Sequence, residues 1–361
     1  MREIRLFPES GGFRPTARQE LLLRAALLPT AEADAAWSEW ATGSAMDNLD
    51  EGSYRLLPLV YRNLKAQGIQ HRLMGTLKGL HRRAWCENQL LFHRTVGVLE
   101  SLRKAGIPTL LLKGAPLALE YYKDLGARPM SDLDFLVPEE KAAAACILLE
   151  AAGWRRTTPA PAKLTASFLR ARHALGMEHG AGGKIDLHWH VLYWNCFPGA
   201  DQNFWADSVP AGLLGESTRT LNPADQLLHA CVHGVDWNEV PPVRWIPDAL
   251  AVMGSAPSLD WDRILRQAER RRLGLHLEDT LGYLRANWGA AVPEEVLRSL
   301  ARMPVSEGEL WEYRRLTGPQ DMGGLIGNLR SQFHAGLRSA RGNRLRAWID
   351  LPRFMRYWMG L

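Results

Sequence analysis

Between Ser131 and Val137, acidic and apolar residues alternate one by one, and this pattern limits what the chain can fold into more than any other. Successive side chains of a strand point to opposite faces, so Asp132 and Asp134 share one face while Leu133, Phe135 and Val137 share the other. Carboxylates at i and i+2 lie a few ångströms apart, where like charge drives one pKa upward unless a cation stands between them. A second alternating run, Ile185 to Val191, sets Asp186, His188 and His190 against Ile185, Leu187, Trp189 and Val191. Strands with one buried face and one carboxylate-bearing face are therefore expected, with a cation among the carboxylates. Mg²⁺ suits such a set, because it takes a few carboxylates and completes its shell with water and phosphate oxygens. Mn²⁺ is the substitute. Two such ions on Asp132, Asp134 and Asp186 can stabilise both the attacking and the leaving oxygen of an in-line displacement at phosphorus.

The surrounding text changes character twice. From about 16 to 106 it is Leu-, Ala- and Arg-rich and helical. Leu91, Thr95, Val98 and Leu102 form one stripe in its last helix, and Gly106 stands as the C-cap. Ile107 to Leu112 is a short apolar run of strand length, ending at Lys113-Gly114, and Pro116 opens a helix to about Lys123. Backbone N–H groups after such a strand can hold phosphates, and Gly114 has no Cβ to obstruct them. A further helix runs from about Pro138 to Ala152 and closes at Gly153. After Asn195 the chain reads as helical again, with Asn222 as N-cap and Pro223 at the first helical position, and no strand pattern recurs. The expected organisation is an N-terminal helical region (1–100), a small α+β core with a mixed sheet (101–195) and a C-terminal helical region (196–361).

Composition narrows the class. Among 361 residues, 46% are hydrophobic and 23% charged, the balance of a globular protein, which excludes disordered and collagen-like chains. Lys and Arg number 44 against 39 acids; the net charge of +5 suits anionic ligands. Nucleic acid is permitted by this but not favoured. Four scattered cysteines form no CxxC pair, so neither a zinc ribbon nor a disulfide framework is read, and a reducing cytoplasm is expected. No apolar run of membrane-spanning length occurs. The segment from 330 onward interleaves arginines with aromatics and is read as a helix packed on the core, with weak association to an anionic surface as the alternative. His229 and His233 stand one helical turn apart with Asp236 beyond, yet Ala230 occupies the place where a zinc protease needs Glu, so helix packing is expected.

Taken together, the residues resemble the polymerase-β-type nucleotidyltransferases: an apolar strand, a glycine turn, a helix, Asp-x-Asp on the next strand, and a third Asp on a later one. More closely, Leu111-Leu-Lys-Gly-Ala115, Arg128-Pro-Met-Ser-Asp-Leu-Asp-Phe-Leu-Val137 and Ile185-Asp-Leu-His-Trp189 are similar to a bacterial family of uncharacterised nucleotidyltransferases. The stretch from His229 through Trp245-Ile-Pro-Asp248 resembles that family's helical C-terminal part. The resemblance implies a polymerase-β-like core and transfer of a nucleoside monophosphate from an NTP, ATP in the first instance, to a hydroxyl or similar group. Its acceptors would be small molecules, saccharides or peptides. Asp132, Asp134 and Asp186 would hold the metals, with Asp186 also helping to deprotonate the acceptor. Lys113, Gly114, Arg128 and Ser131 would bind the nucleotide, and His188 would orient a carboxylate. The sequence departs from the superfamily at Gly114-Ala115, where Gly-Ser or Gly-Gly is usual, so Lys113 or Arg128 would replace the serine's phosphate contact. A non-catalytic nucleotide-binding adaptor and a metal-dependent phosphohydrolase are the alternatives. Trp189 and Trp194 read as core residues that can also wall a base pocket.

Overall fold

The structure is a computed structural model that describes residues 13–42, 46, 49–193, 195–235, 241–256 and 258–317. Helices α1 (Ala17–Leu27), α2 (Thr30–Trp40), α3 (Glu51–Ala66) and α4 (Met74–Lys104) come first. Then follow β1 (Leu110–Leu111), the single turn α5 (Gly114–Pro116), a π-helical stretch Leu117–Tyr122, β2 (Leu133–Leu136), α6 (Ala142–Ala151) and β3 (Trp154–Arg156). Next are α7 (Ala166–Ala171), β4 (Ala174–His179), β5 (Lys184–His188), α8 (Gln202–Ala206), β6 (Val209–Leu213) and β7 (Glu216–Thr220). Helices α9 (Pro223–His233), α10 (Trp245–Ser255), α11 (Trp261–Arg271), α12 (Gly274–Trp288), α13 (Glu294–Arg302) and α14 (Glu307–Thr317) complete the described chain. This is the expected α+β class, a mixed sheet with helices before and after it. The basic-aromatic segment from 330 lies outside the described residues.

The chain forms two interleaved compact units. One takes the residues up to Asn88, Leu117–Met130 and the helices from Pro223 on; the other takes Gln89–Pro116 and Ser131–Asn222. In the helical unit, Thr16 caps α1 reciprocally with Gln19, and Asp50 accepts from the Ser53 amide to start α3. The loop after the π-helical stretch is held there by buried polar side chains. Asn88 donates to the carbonyls of Leu125 and Arg128 (2.6 and 2.9 Å) and accepts from the Met130 amide.

The second unit holds one seven-stranded sheet in the order β3-β4-β5-β2-β1-β7-β6. The β2–β5 and β1–β7 pairs are parallel and the others antiparallel. β2 is therefore central, flanked by β1 and β5, and all four of its residues are buried. Leu133, Phe135, Leu136, Ile185, Leu187, Leu110 and Leu111 fill the core around it. The helix ahead of β1 ends as expected: Gly106 adopts a φ of 66°, and the Ile107 amide bonds back to the Leu102 carbonyl.

The reading that no strand follows residue 195 is corrected by the β6–β7 hairpin, which carries the sheet to Thr220. Its apolar signal is weak because Pro210 and Gly212 interrupt one strand and the other is Glu-Ser-Thr-Arg-Thr. The two loop residues, Leu214 and Gly215, both take positive φ (49° and 87°), as type I′ hairpin turns require.

Candidate metal centre

Parallel pairing sets Asp134 on β2 directly opposite Asp186 on β5, with His188 two residues further along the same face. Asp134 is only 5% exposed, in the middle of a sheet, where an ionised carboxylate is costly unless it is paired. Its partner comes from the end of β1. The Leu112 amide donates to the Asp134 carbonyl at 3.0 Å, and Lys113 then takes a φ of 49°. For a residue with a Cβ this left-handed conformation costs about 1–2 kcal/mol. The side chain that leaves this turn runs back to β2. Lys113 Nζ lies 2.6 Å from Asp134 Oδ1, 3.7 Å from Asp186 Oδ2 and 3.3 Å from His188 Nε2. His188 Nε2 is in turn 3.2 Å from Asp134 Oδ1 and 3.0 Å from Asp186 Oδ2. One ammonium thus sits among two carboxylate oxygens and an imidazole nitrogen.

The electrostatics follow from that arrangement. Burial opposes ionisation of Asp134, but the Lys113 charge and the His188 hydrogen bond outweigh it and hold the carboxyl well below the usual range. Asp186 is held low in the same way, its burial overcome mainly by His188 and Lys113. For Lys113, burial lowers the pKa, yet Asp134 and Asp186 raise it beyond the ordinary value. Burial and the Lys113 charge also act against protonated His188, while Asp186 and the two carboxylate hydrogen bonds prevail and raise it. Asp132 differs in sign: burial and then the Asp134 charge push it up.

Among the described residues, Asp134, Asp186 and His188 form a group of three whose ligand atoms all lie within 4.8 Å of one another. Their oxygen, oxygen and nitrogen donors fit a divalent cation, and the Lys113 ammonium stands in the same place. Asp132 does not join this set. It is half-buried and precedes the first residue of β2, and its Oδ1 accepts from exposed Ser131 Oγ at 3.2 Å. Gly114 opens α5 directly after Lys113 and is buried.

Arg128 belongs to the other compact unit. In the helical unit, its Nε and Nη2 each donate at 2.9 Å to Asp248 of α10, and Tyr122 Oη donates to the same carboxylate at 2.9 Å. Where a phosphate clamp was expected, Arg128 makes a buried fork-to-fork tie with Asp248 as its acceptor.

Trp189 donates its indole N–H to the carbonyls of Leu169 and Arg172 and is buried, so it packs in the core. Trp194 lies outside the described residues. His190 leaves the expected face: the amides of Trp189 and His190 both bond to the His173 carbonyl, a bulge that ends the alternation, and its ring binds Asp201 at 2.7 Å. His229 and His233 stack ring on ring, 5.9 Å apart, on α9; Asp236 lies outside the described residues.

Sequence reasoning missed His173 and Tyr193. The His173 ring meets His188 edge-on at 5.1 Å, and Tyr193, 51% exposed, meets His173 at 5.3 Å. Neither lies in an alternating run, so no periodic signal marks them.

The family described as uncharacterised nucleotidyltransferase matches residues 53–289, well over half of the chain, and its span includes every residue of the cluster. The chain belongs to that family. Among curated proteins there is no match. Among solved structures, an antigenic nucleotidyltransferase-like protein from Paracoccidioides brasiliensis is similar over 58% of this chain and 92% of its own, at 13% sequence identity and a TM-score of 0.38. Membership in the uncharacterised nucleotidyltransferase family gives nucleotidyl transfer as the class of chemistry. No helix among the described residues is long and apolar enough to cross a membrane.

Proposed function

We propose that this chain is an enzyme that transfers a nucleoside monophosphate from a metal-bound NTP, ATP in the first instance, to a hydroxyl or similar group of a small-molecule, saccharide or peptide acceptor. The observation that carries the reading is the convergence of Asp134, Asp186 and His188 on one cationic position within a family of nucleotidyltransferases. Asp134 and Asp186 would hold the metal, with Asp132 beside them as the third carboxylate. A divalent ion such as Mg²⁺ would there neutralise charge on the transferred phosphoryl group and on the departing pyrophosphate.

The chain's own residues have definite tasks. Lys113 bonds Asp134 at 2.6 Å, and a dication held on that carboxylate would repel the ammonium, so the lysine would be released toward other anions. It then becomes the cation nearest to an incoming triphosphate, beside the Gly114 turn. Asp186 takes part in removing the acceptor proton as the acceptor oxygen bonds to the α-phosphorus and the bond to pyrophosphate breaks. Arg128 is assigned no phosphate, since its charge is already paired with Asp248 through the Nε–Nη2 edge of its guanidinium. We place the protein in the cytoplasm; four free cysteines, three of them buried, support a reducing compartment.

Incubation of the protein with α-labelled NTPs, divalent metal and a cell extract tests the proposal. Pyrophosphate together with a labelled adduct is expected. Phosphate without an adduct would mean hydrolysis, and binding without turnover would mean an adaptor.

A further inference from the structure

We infer that His188 is a direct ligand of the catalytic cation, and that this nitrogen makes the centre select a first-row transition ion such as Mn²⁺ over Mg²⁺. The inference rests on the metal-dependent reading above and adds the identity of the ion. The ring's orientation carries it. His188 Nδ1 lies 3.3 Å from the His190 carbonyl, and a carbonyl oxygen only accepts, so Nδ1 keeps its hydrogen, and the proton that Nε2 shares with the carboxylates is the one a cation would displace to solvent. Nε2 is then the nitrogen that faces the carboxylates, at 3.0 and 3.2 Å. Ligand histidines are set this way, with the far nitrogen donating to a backbone carbonyl or carboxylate and the near one directed at the ion.

Two further features fix the ring. It is fully buried, and His173 meets it edge-on at 66°, so it has little room to swing aside when an ion enters. The bulge at Trp189 and His190 is what turns the His190 carbonyl onto Nδ1, so backbone and side chain hold one orientation. The spacing fits as well. Donor atoms at adjacent corners of an octahedron, with bonds of roughly 2.1 Å, lie about 3 Å apart, whereas tetrahedral donors spread further. Lys113 Nζ is at 3.3 Å from Nε2, so a cation already neighbours this nitrogen. Mg²⁺ prefers oxygen donors throughout, and an imidazole in the set favours transition ions.

The test is pulsed electron paramagnetic resonance of Mn²⁺ bound to the full-length protein with inorganic triphosphate, which contains no nitrogen. A ¹⁴N coupling to Mn²⁺ is expected, and it should change to the ¹⁵N pattern when only histidine is ¹⁵N-labelled, a readout that needs no variant. In parallel calorimetry, Mn²⁺ should bind at least tenfold more tightly than Mg²⁺, and His188→Gln should erase most of that preference by weakening Mn²⁺ about 10–100-fold. Mn²⁺ that binds without histidine coupling, or that is weakened no more than Mg²⁺ by His188→Gln, overturns the inference and leaves the metal-dependent reading standing. Absence of binding by either ion to the wild-type protein overturns both.

Discussion

Replacing Arg128 with alanine separates a structural tie from a phosphate contact. The Arg128 and Asp248 side chains are 9% and 8% exposed, so water screens the pair little. Asp248 receives three donors at 2.9 Å, two from Arg128 and one from Tyr122. Arg128→Ala leaves a buried carboxylate with the tyrosine as its remaining donor in that trio, a loss of about 3–5 kcal/mol for a broken buried pair. At roughly 2–4 °C per kcal/mol for a unit of this size, the melting temperature should fall by roughly 6–20 °C. Removing both charges is milder. Arg128→Met with Asp248→Leu removes the bonded pair together, with Arg244 keeping the Pro129 carbonyl as its acceptor, and with Tyr122→Phe added the tyrosine leaves no hydroxyl without Asp248, so the triple variant should recover much of the loss. Thermal melting of the four proteins, with NTP titration of each folded one, provides the assay. If Arg128→Ala melts like the wild type but no longer binds NTP, the arginine is a phosphate ligand and the reasoning fails.

The centre itself makes three further predictions. Lys113→Met should bind Mn²⁺ more tightly in the absence of nucleotide and NTP more weakly in its presence, as calorimetry would show; equal affinities would refute the exchange of lysine for metal. Asp132→Asn should leave metal-free stability level or raise it by about 1 kcal/mol, because it removes a carboxylate whose pKa burial and Asp134 push up. Asp134 has the opposite sign: its lowered pKa contributes stability fully above the unfolded value near ~3.9, and this is lost as pH falls through the folded value, so Asp134→Asn should flatten the acid limb of the stability profile. In a thiol-reagent assay of the native protein, exposed Cys86 should react quickly. Buried Cys146, Cys196 and Cys231 should wait for denaturant, Cys231 most of all, with its pKa pushed by burial up to about 12.

What was legible in the sequence was local and periodic. The alternation of Asp132 to Val137 and of Ile185 to His188 marks β2 and β5, because one face of each had to be apolar, and it places Asp134, Asp186 and His188 together as soon as the strands pair in register. The apolar run before Lys113 marks β1 for the same reason. Partners distant in sequence were not legible. Nothing near Arg128 identifies Asp248, 120 positions away, as its acceptor. The β6–β7 hairpin hid behind Pro210 and Gly212, although a two-residue loop ending in glycine and a Thr-rich second strand were signals that could have revealed it. His190 was misassigned because a bulge breaks the period of two without any mark in composition. The Lys113 ammonium facing the carboxylates depends on one residue in a left-handed conformation, which periodicity cannot show.

The central claim is that Asp134 helps hold a divalent ion on which a nucleoside triphosphate is bound. Calorimetric titration of ATP in saturating Mn²⁺ into the wild-type protein and Asp134→Asn, with the folded state of both verified by melting, tests it most directly. The account predicts saturable binding to the wild type that depends on the metal and weakens at least tenfold in the variant. Equal nucleotide affinity in the two proteins, or affinity unchanged when the metal is removed, would contradict it.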